Sequence, residues 1–448
     1  MKLNYDLFME KEKKLLNLQD NIMKLVEDYY NIRFSDNVFV PGISEVPVSG
    51  KVFNEKELKN LIQSSLDFWL TDGEYSETFS DLMSDFLSIK HVRLVNSGSS
   101  ANLVSLSALT NKKIKNYLNE GDEVITAAVG FPTTVNPIFQ NNLIPVFVDS
   151  ELGTYNPDFS SIEKAYSPDS KVIMLAHTLG NPLQIEKIKD FASDKGMWLI
   201  EDNCDALGSK HNDKYTGTFG DMSTLSFYPA HHITMGEGGA VLTNSTKLKL
   251  SIDSFRDWGR DCWCKSGHDD TCNKRFDWQL GELPYGYDHK YTYSNIGYNL
   301  KITDLQASIG IAQMDKLESF IKKRRDNWSK INKIILNYPD IFIPHIPEKN
   351  SEPSWFGYAI TVKNNNKFSR DDLVKFLNSR RISTRLLFGG NLIKQPAYLE
   401  RKFRVSGELM NADVVMNSTF WIGVYPGITD DMVSYIQDTL EEFLSSNI

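Results

Sequence analysis

The residues with the clearest chemical potential lie between the end of one predicted strand and a glycine-rich turn. Asp202 ends the apolar run MWLIED, and the run SFYPAHH at 226–232 leads into GEGG at 236–239. A strand-end carboxylate lies where ligands bind in open α/β sheets, and it could pair with a protonated ring nitrogen or simply cap a helix. The imidazole of His231 has an ordinary pKa near 6.5, so it could accept and return a proton near neutral pH.

The four cysteines form a second candidate site. Cys204, Cys262, Cys264 and Cys272 follow the pattern C-x57-C-x-C-x7-C, which does not match the paired C-x2-C knuckles usual for structural zinc. Four thiolates can also bind a [2Fe–2S] cluster, whose ligand spacings are more varied. Spacing alone leaves open an iron–sulfur cluster, an irregular zinc site and unligated thiols.

A third candidate follows the strand HVRLV at 91–95. The run NSGSSAN at 96–102 places Gly98 and Ser99 at the start of an apolar helix. Free N–H groups and the positive dipole end of a helix favour a phosphate there. Taken alone the pattern is weak evidence for a phosphate site, because an ordinary Ser-rich helix cap without any ligand is commoner.

Short β-rich runs that alternate with helical segments must position these groups. This alternation predicts an α/β domain whose mostly parallel, seven-stranded sheet is covered on both faces. A helical pattern over 303–336 then leads to a smaller α/β unit with a strand at 357–362 and a helix at 369–382. The expected organisation is a helical arm at 1–40, a large domain at 41–316 that includes the cysteine loop 262–272, and a small domain at 317–448.

Composition excludes several classes of protein. The chain has 448 residues and a formal charge of −9, which argues against a nucleic-acid partner held by phosphate neutralisation. No apolar run approaches the length of a membrane helix, and the first residues lack a secretory signal layout. We therefore expect a cytoplasmic enzyme without nucleic-acid or membrane partners.

The segment 202–239 resembles the DegT/DnrJ/EryC1/StrS sugar aminotransferases, which are fold-type I pyridoxal-phosphate enzymes. The shared features are the strand-end Asp202, the pair Ser226-Phe227, a basic residue and the GEGG turn. In that family the fifth residue after the serine is a lysine that binds the cofactor covalently, and here it is His231. The resemblance therefore implies that the cofactor is free pyridoxamine 5'-phosphate. It places the chain in the nucleotide-sugar 3-dehydratase branch of the family. It also implies that His231 is the catalytic base.

The resemblance also implies roles for other residues. Gly98, Ser99 and the Ser226 hydroxyl would hold the cofactor phosphate, Asp202 would pair with the ring nitrogen, and Phe131 would stack on the ring. The full set of implied cofactor-binding residues is Gly98, Ser99, Phe131, Asp202, Asp205, Ser226 and Asn299.

Two positions depart from the family pattern, and a third position, which matches it, implies a dimer. Asp205 replaces the usual Gln or His that contacts the cofactor hydroxyl, and Lys301 replaces an arginine. Asn299 matches an asparagine that reaches the phosphate from a neighbouring subunit. A homodimer is therefore implied.

His231 together with the cysteine spacing resembles the branch that acts on CDP-4-keto-6-deoxy-D-glucose in 3,6-dideoxyhexose (O-antigen) biosynthesis. This implies that Cys204, Cys262, Cys264 and Cys272 bind a [2Fe–2S] cluster, with a separate NADH-dependent flavin and iron–sulfur reductase as electron donor. Since Asp202 and Cys204 lie only roughly 7 Å apart along a strand, the cluster is expected near the cofactor. The alternatives are a GDP-4-keto-6-deoxymannose 3-dehydratase, a sugar aminotransferase, and a non-catalytic relative that binds zinc.

Overall fold

The structure is a computed structural model that describes residues 2–34, 38–264, 266–364 and 367–447. Its helices are α1 (Lys2–Arg33), α2 (Glu55–Asp67), α3 (Glu74–Leu87), α4 (Gly98–Ala108), α5 (Pro132–Gln140), α6 (Phe159–Ala165), α7 (Ile185–Lys195), α8 (Thr246–Arg256), α9 (Asp304–Met314), α10 (Leu317–Ile335), α11 (Arg370–Ser379), α12 (Met410–Ser418) and α13 (Asp430–Asn447). Its strands are β1 (His91–Val95), β2 (Glu123–Ala127), β3 (Ile144–Val148), β4 (Ser170–Ala176), β5 (Trp198–Asp202), β6 (Lys210–His211), β7 (Lys214–Tyr215), β8 (Met222–Ser226), β9 (Gly239–Thr243), β10 (Phe342–Ile343), β11 (Ser351–Glu352), β12 (Gly357–Val362), β13 (Arg385–Leu386), β14 (Arg404–Val405) and β15 (Thr419–Gly423).

The main sheet has the strand order β1-β9-β8-β5-β4-β2-β3-β14 in the described part of the chain. Strand β9 runs antiparallel to both of its neighbours, and the other pairings are parallel. The predicted seven strands and their mostly parallel order are confirmed. The short β14 adds an eighth strand from the C-terminal part of the chain, pairing Arg404 with Val146.

Burial on both faces explains why these strands read as continuous apolar runs. Successive strand residues point to opposite faces. In β2, Val124 belongs to the cluster that includes Val104 of α4 and Ile138 of α5. Its neighbour Ile125 belongs to a cluster that includes Ile188 of α7. A strand with helices on both sides keeps no polar face.

The smaller unit carries the antiparallel sheet β10-β12-β15-β13. The predicted strand at 357–362 is β12, and the pattern over 303–336 forms two helices, α9 and α10. Helix α11 begins after Ser369, whose hydroxyl accepts a hydrogen bond from Asp372 N at 3.3 Å, as expected for an N-cap. The domain boundaries stay a prediction, because contacts such as the Val46 to Ile382 bridge join distant segments.

The architecture brings the candidate groups to one edge of the sheet. Strand β5 ends at Asp202, β8 ends at Ser226, and α4 begins at Gly98 just after β1. Carboxyl ends of parallel strands form the ligand-binding edge in open α/β sheets. Among the described residues, no helix is long and apolar enough to cross a membrane.

Candidate active site

A cavity of about 430 Å³ opens at this edge between the large and small units. That volume is in the range of small-molecule sites. Seven of the eight residues predicted to bind the cofactor or act as base line it, and Cys204 lines it too. The seven are Gly98, Ser99, Phe131, Asp202, Asp205, Ser226 and His231.

The first turn of α4 forms an anion cradle. Ser97 caps the helix, its hydroxyl accepting a hydrogen bond from Ser100 N at 3.0 Å. The amides of Gly98 and Ser99 lie in the first turn, where a helix has no internal acceptors. A Cβ on Gly98 would lie only 2.5 Å from Ser226 Cβ and 2.9 Å from its Oγ. Only glycine keeps this space open, and the space suits a phosphate held by amides and a hydroxyl.

Asp202 is fixed by side chains on two helices. It is 5% exposed, and its Oδ2 accepts hydrogen bonds from Asn102 Nδ2 at 2.8 Å and from Thr134 Oγ1 at 2.7 Å. Its Oδ1 accepts one from Cys204 N at 3.2 Å. Neither Asn102 nor Thr134 was predicted from the sequence. Asn102 lies four residues after Gly98, on the same face of α4, and this spacing could have indicated it.

Glu201 points away from the cavity. Its carboxylate accepts hydrogen bonds from Gly217 N at 2.8 Å and Gly220 N at 2.7 Å, and it lies 3.0 Å from His177 Nε2. His177 Nδ1 accepts from Leu183 N, so Nε2 carries the proton. Burial raises the pKa of Glu201, but His177 and the backbone donors outweigh it and lower the pKa. Of the neighbouring carboxylates Glu201 and Asp202, only Asp202 therefore lines the cavity.

His231 lies on the loop after β8 and faces a second carboxyl group. Its Nδ1 is 3.4 Å from Asp205 Oδ1, and its ring centroid is 5.1 Å from that of Phe356. Burial lowers the pKa of His231 to about 4, with Arg324 adding to the shift and Asp202 opposing it. The imidazole is therefore neutral at physiological pH and can accept a proton.

The pKa of Asp205 is shifted in the opposite direction to that of His231. Burial and the nearby charge of Asp202 raise the pKa of Asp205 to about 8, against the pull of Arg324. Arg324 is fully buried, its Nη2 donates to His231 O at 3.0 Å, and burial lowers its pKa to about 9. Arg324 was not predicted from the sequence, because only the packing of α10 brings it there. Asp205 lies beside His231, so its predicted contact with the cofactor hydroxyl stays a prediction.

Replacing Asp205 by Asn should stabilise the cofactor-free protein at high pH. A carboxyl whose pKa is raised from 3.8 to about 8 on folding is fully stabilising below the unfolded value, and that stability is lost as pH rises to the folded value. The loss is at most about 1.4 kcal/mol per pH unit. Urea unfolding should therefore show the variant equal to wild type at pH 4 and more stable at pH 8.5.

The exposed Asp194 on α7 provides the matched control for this series. Asp194→Asn makes the same chemical change on the surface, so an effect seen in both variants would be a general effect of replacing Asp by Asn. If Asp205→Asn and wild type gave parallel profiles from pH 4 to 8.5, the buried carboxyl would not titrate in this window.

The cysteines occupy two separate places. Cys262, Cys264 and Cys272 line one small cavity, where Cys264 N approaches Cys262 Sγ at 3.5 Å. Cys204 Sγ instead lines the large cavity, 3.8 Å from Thr224 Oγ1. Within residues 2–34, 38–264, 266–364 and 367–447, no group of three or more His, Cys, Asp or Glu side chains is placed to hold a metal ion. A single chain therefore does not gather the four predicted ligands.

Asn299 also lies outside the large cavity. It is exposed on the stem of the cysteine loop, where it pairs with Asp257 through the backbone and accepts a hydrogen bond from Lys301 Nζ at 2.8 Å. Its predicted role in a neighbouring subunit stays a prediction.

The small unit supplies a cavity wall that the sequence analysis did not predict. The ring of Phe388 lies 6.2 Å from that of Phe131, at 81°, and Arg385 adds a cation. An aromatic surface with one guanidinium suits a ligand that has both a ring and a phosphate. The wall from the small unit consists of Phe356, Arg385, Leu386, Phe388 and Trp421.

Comparisons with known proteins agree with this geometry. The DegT/DnrJ/EryC1/StrS aminotransferase family is matched over residues 52–441. The sequence is 53% identical over 433 residues to the lipopolysaccharide biosynthesis protein RfbH of Salmonella typhimurium, covering 96% of this chain and 99% of that protein. It is 49% identical over 430 residues to dTDP-4-dehydro-2,6-dideoxy-D-glucose 3-dehydratase of Saccharopolyspora spinosa, covering 96% of this chain and 93% of that protein.

A solved structure extends the likeness to three dimensions. The E. coli GDP-4-keto-6-deoxy-D-mannose-3-dehydratase with bound hydrated PLP matches with a TM-score of 0.79 and 28% identity, covering 88% of this chain and 99% of that one. The expected fold class is confirmed.

Proposed function

The chain belongs to the DegT/DnrJ/EryC1/StrS aminotransferase family, and from this membership we propose that it is a pyridoxamine-phosphate-dependent nucleotide-sugar 3-dehydratase. The observation that carries the proposal is His231, a neutral imidazole on the wall of the cavity where the family has its lysine. An imidazole cannot hold the cofactor covalently, but it can move protons. Two of the relatives described above are also named as sugar 3-dehydratases.

The cavity residues fit pyridoxamine 5'-phosphate. The first turn of α4 at Gly98 and Ser99, together with the Ser226 hydroxyl, would hold the phosphate, in the space that a Cβ on Gly98 would fill. Asp202 would pair with the ring nitrogen, and the half-exposed Phe131 would cover the ring. When bound, this cofactor supplies an amine for a sugar ketone and a conjugated ring that accepts electrons.

His231 is proposed to do the proton transfer. Because Nδ1 faces Asp205 at 3.4 Å, Nε2 is the nitrogen available to the cavity. Nε2 would remove a proton next to the reacting centre and return one to the departing hydroxyl. Arg324 would hold the loop through the His231 carbonyl.

We propose CDP-4-keto-6-deoxy-D-glucose as the substrate and a 3,6-dideoxy-4-hexulose nucleotide as the product, in lipopolysaccharide O-antigen biosynthesis. The likeness to RfbH supports the pathway. A dTDP sugar is the second candidate, since a relative at 49% identity is named for one. A cytoplasmic location suits a nucleotide-sugar enzyme.

The overall reaction needs an electron donor. Replacing a hydroxyl by hydrogen consumes two electrons and two protons and releases one water. We propose that NADH supplies the electrons through a separate flavin and iron–sulfur reductase, and that this protein holds a [2Fe–2S] cluster, which would supply one-electron transfer. Cys262, Cys264 and Cys272 are proposed ligands together with Cys204, in a homodimer to which Asn299 contributes.

An anaerobic assay tests this function. Purified protein with pyridoxamine phosphate is given CDP-, dTDP- or GDP-4-keto-6-deoxy sugars, with and without reductase and NADH, and products are identified by mass spectrometry. We expect net replacement of one hydroxyl by hydrogen in the CDP sugar only when the reductase is present. Transfer of an amino group to the sugar would instead identify an aminotransferase, and turnover of the GDP sugar without reductase would identify the cluster-free dehydratase.

A further inference from the structure

We propose that helix α1 pairs with α1 of a second copy of this chain as an antiparallel two-stranded coiled coil. The helix has 32 residues, which makes it about 48 Å long. Its C-terminal half is held to the same chain, where Tyr30 Oη donates to Phe53 O at 3.0 Å and Lys59 Nζ donates to Glu27 Oε2 at 2.6 Å. Helices in proteins are stabilised mainly by the packing of an apolar face, and α1 keeps a second apolar face exposed.

That second face is a heptad repeat, which we call the α1 seam. With a at 8, 15, 22 and 29 and d at 11, 18, 25 and 32, seven of these eight positions hold apolar residues, and Lys11 is the exception. An a/d repeat sustained for about three to four heptads is typical of a coiled coil, and helices that pack on a globular core carry a wider stripe. Six seam residues are exposed, namely Phe8 (56%), Leu15 (45%), Leu18 (58%), Leu25 (68%), Tyr29 (61%) and Ile32 (83%), and Ile22 is partly exposed.

The charges beside the seam make it complementary to itself. In a coiled coil the g residues border the seam and pair with charges on the facing helix. The g positions 14, 21 and 28 hold Lys, Asn and Asp. In an antiparallel pair centred near Asn21, Lys14 of each copy faces Asp28 of the other, so two ion pairs form. Lys14 also contacts Glu10 at 3.0 Å in its own helix, with both side chains exposed, and such a surface pair contributes little.

The exception in the seam, Lys11, selects the antiparallel orientation. In a parallel pair, Lys11 would face Lys11 of the other copy inside the seam, and the two like charges would repel. In the antiparallel pair it faces the ring of Tyr29, which can accept a cation on its face. The other layers are all apolar. They join Phe8 to Ile32, Leu15 to Leu25 and Leu18 to Ile22, each between copies, and a two-fold axis makes the assembly closed.

Disulfide trapping in the full-length protein tests this pairing. In the Leu15→Cys/Leu25→Cys variant, position 15 of one copy faces position 25 of the other. We expect mild oxidation to give linked dimers in non-reducing electrophoresis, with the 15–25 link identified by mass spectrometry. The same link cannot form within one helix, because ten residues span about 15 Å and a disulfide allows a Cα separation of at most about 7 Å.

Lys13→Cys/Lys24→Cys is the matched control, because both side chains are exposed on the polar side of α1, and it should link only at the background rate. Adding Lys14→Glu to the Leu15→Cys/Leu25→Cys chain should slow linking about 2- to 10-fold at low salt, the effect of losing two exposed ion pairs. Adding Asp28→Lys as well should restore the rate, because the reversed charges attract again.

Three results would contradict the proposal. Linking no faster than in the control would refute the pairing, and 15–15 and 25–25 links would refute the antiparallel orientation. Failure of Asp28→Lys to restore the rate would refute the contact between positions 14 and 28. These measurements require neither cofactor nor activity, so the pairing and the proposed function are tested separately.

Discussion

Replacing His231 by Asn should lower the rate of water release from the nucleotide sugar by about 10²- to 10⁴-fold, the usual contribution of a positioned acid or base. Asparagine keeps much of the side-chain volume, but it cannot accept a proton. The affinity for pyridoxamine phosphate should change little, because the proposed phosphate and ring contacts come from other residues. Single-turnover mixing with a 4-keto sugar, stopped in acid and analysed by mass spectrometry, measures the dehydration step separately from reduction.

The adjacent His232 provides the control for this experiment. It is buried, and its Nε2 lies 2.8 Å from Ser354 O, so His232→Asn should affect stability more than the chemical step. A wild-type rate of dehydration in the His231→Asn enzyme would remove His231 from the mechanism.

A lysine at position 231 should restore covalent attachment. His231→Lys protein incubated with pyridoxal phosphate and borohydride should carry one cofactor per chain, located by mass spectrometry on residue 231. Dehydration should still be lost, since a lysine bound to the cofactor is unavailable as a free base.

Local sequence was enough to predict where Gly98 and Asp202 lie in the fold, while their roles stay predictions. Gly98 and Asp202 mark a helix start and a strand end, and the edge of a parallel sheet brings such ends together whatever the rest of the chain does. Thr134 was missed because only the packing of α5 brings it to Asp202, whereas the four-residue spacing of Asn102 from Gly98 could have indicated Asn102. Sequence showed the strand-end carboxylate but not the groups that orient it.

Features that depend on contacts between distant segments of the chain could not be predicted from the sequence, for a related reason. Arg324 follows no motif and reaches the His231 carbonyl only because α10 packs behind the cavity. The two-residue strand β14 is too short to leave a periodic signal, and pairing with β3 is what makes it a strand. Cysteine spacing indicated the residues of a possible cluster, but it did not show that Cys204 lines a different cavity from Cys262, Cys264 and Cys272.

A methyl group at position 98 should sharply weaken cofactor binding. The Cβ of Gly98→Ala would lie 2.5 Å from Ser226 Cβ, an atom fixed to the end of β8, and 3.0 Å from Cys204 Sγ. The start of α4 must shift, and the amides that would hold the phosphate lose their alignment with Ser226. Hydrogen bonds to charged groups contribute about 1.5–3 kcal/mol each. The loss of one such bond predicts a Kd for pyridoxamine phosphate raised by about 10- to 150-fold.

Fluorescence titration with pyridoxamine phosphate and with pyridoxamine separates the phosphate effect from a general disturbance of the cavity. Pyridoxamine lacks the phosphate, so its weaker binding should be nearly the same in wild type and in Gly98→Ala. Gly130→Ala is the matched control, because its Cβ would meet Leu392 Cδ1 at an ordinary 3.7 Å. Equal loss of both ligands in Gly98→Ala would indicate a misfolded cavity, whereas unchanged affinity for pyridoxamine phosphate would place the phosphate away from α4.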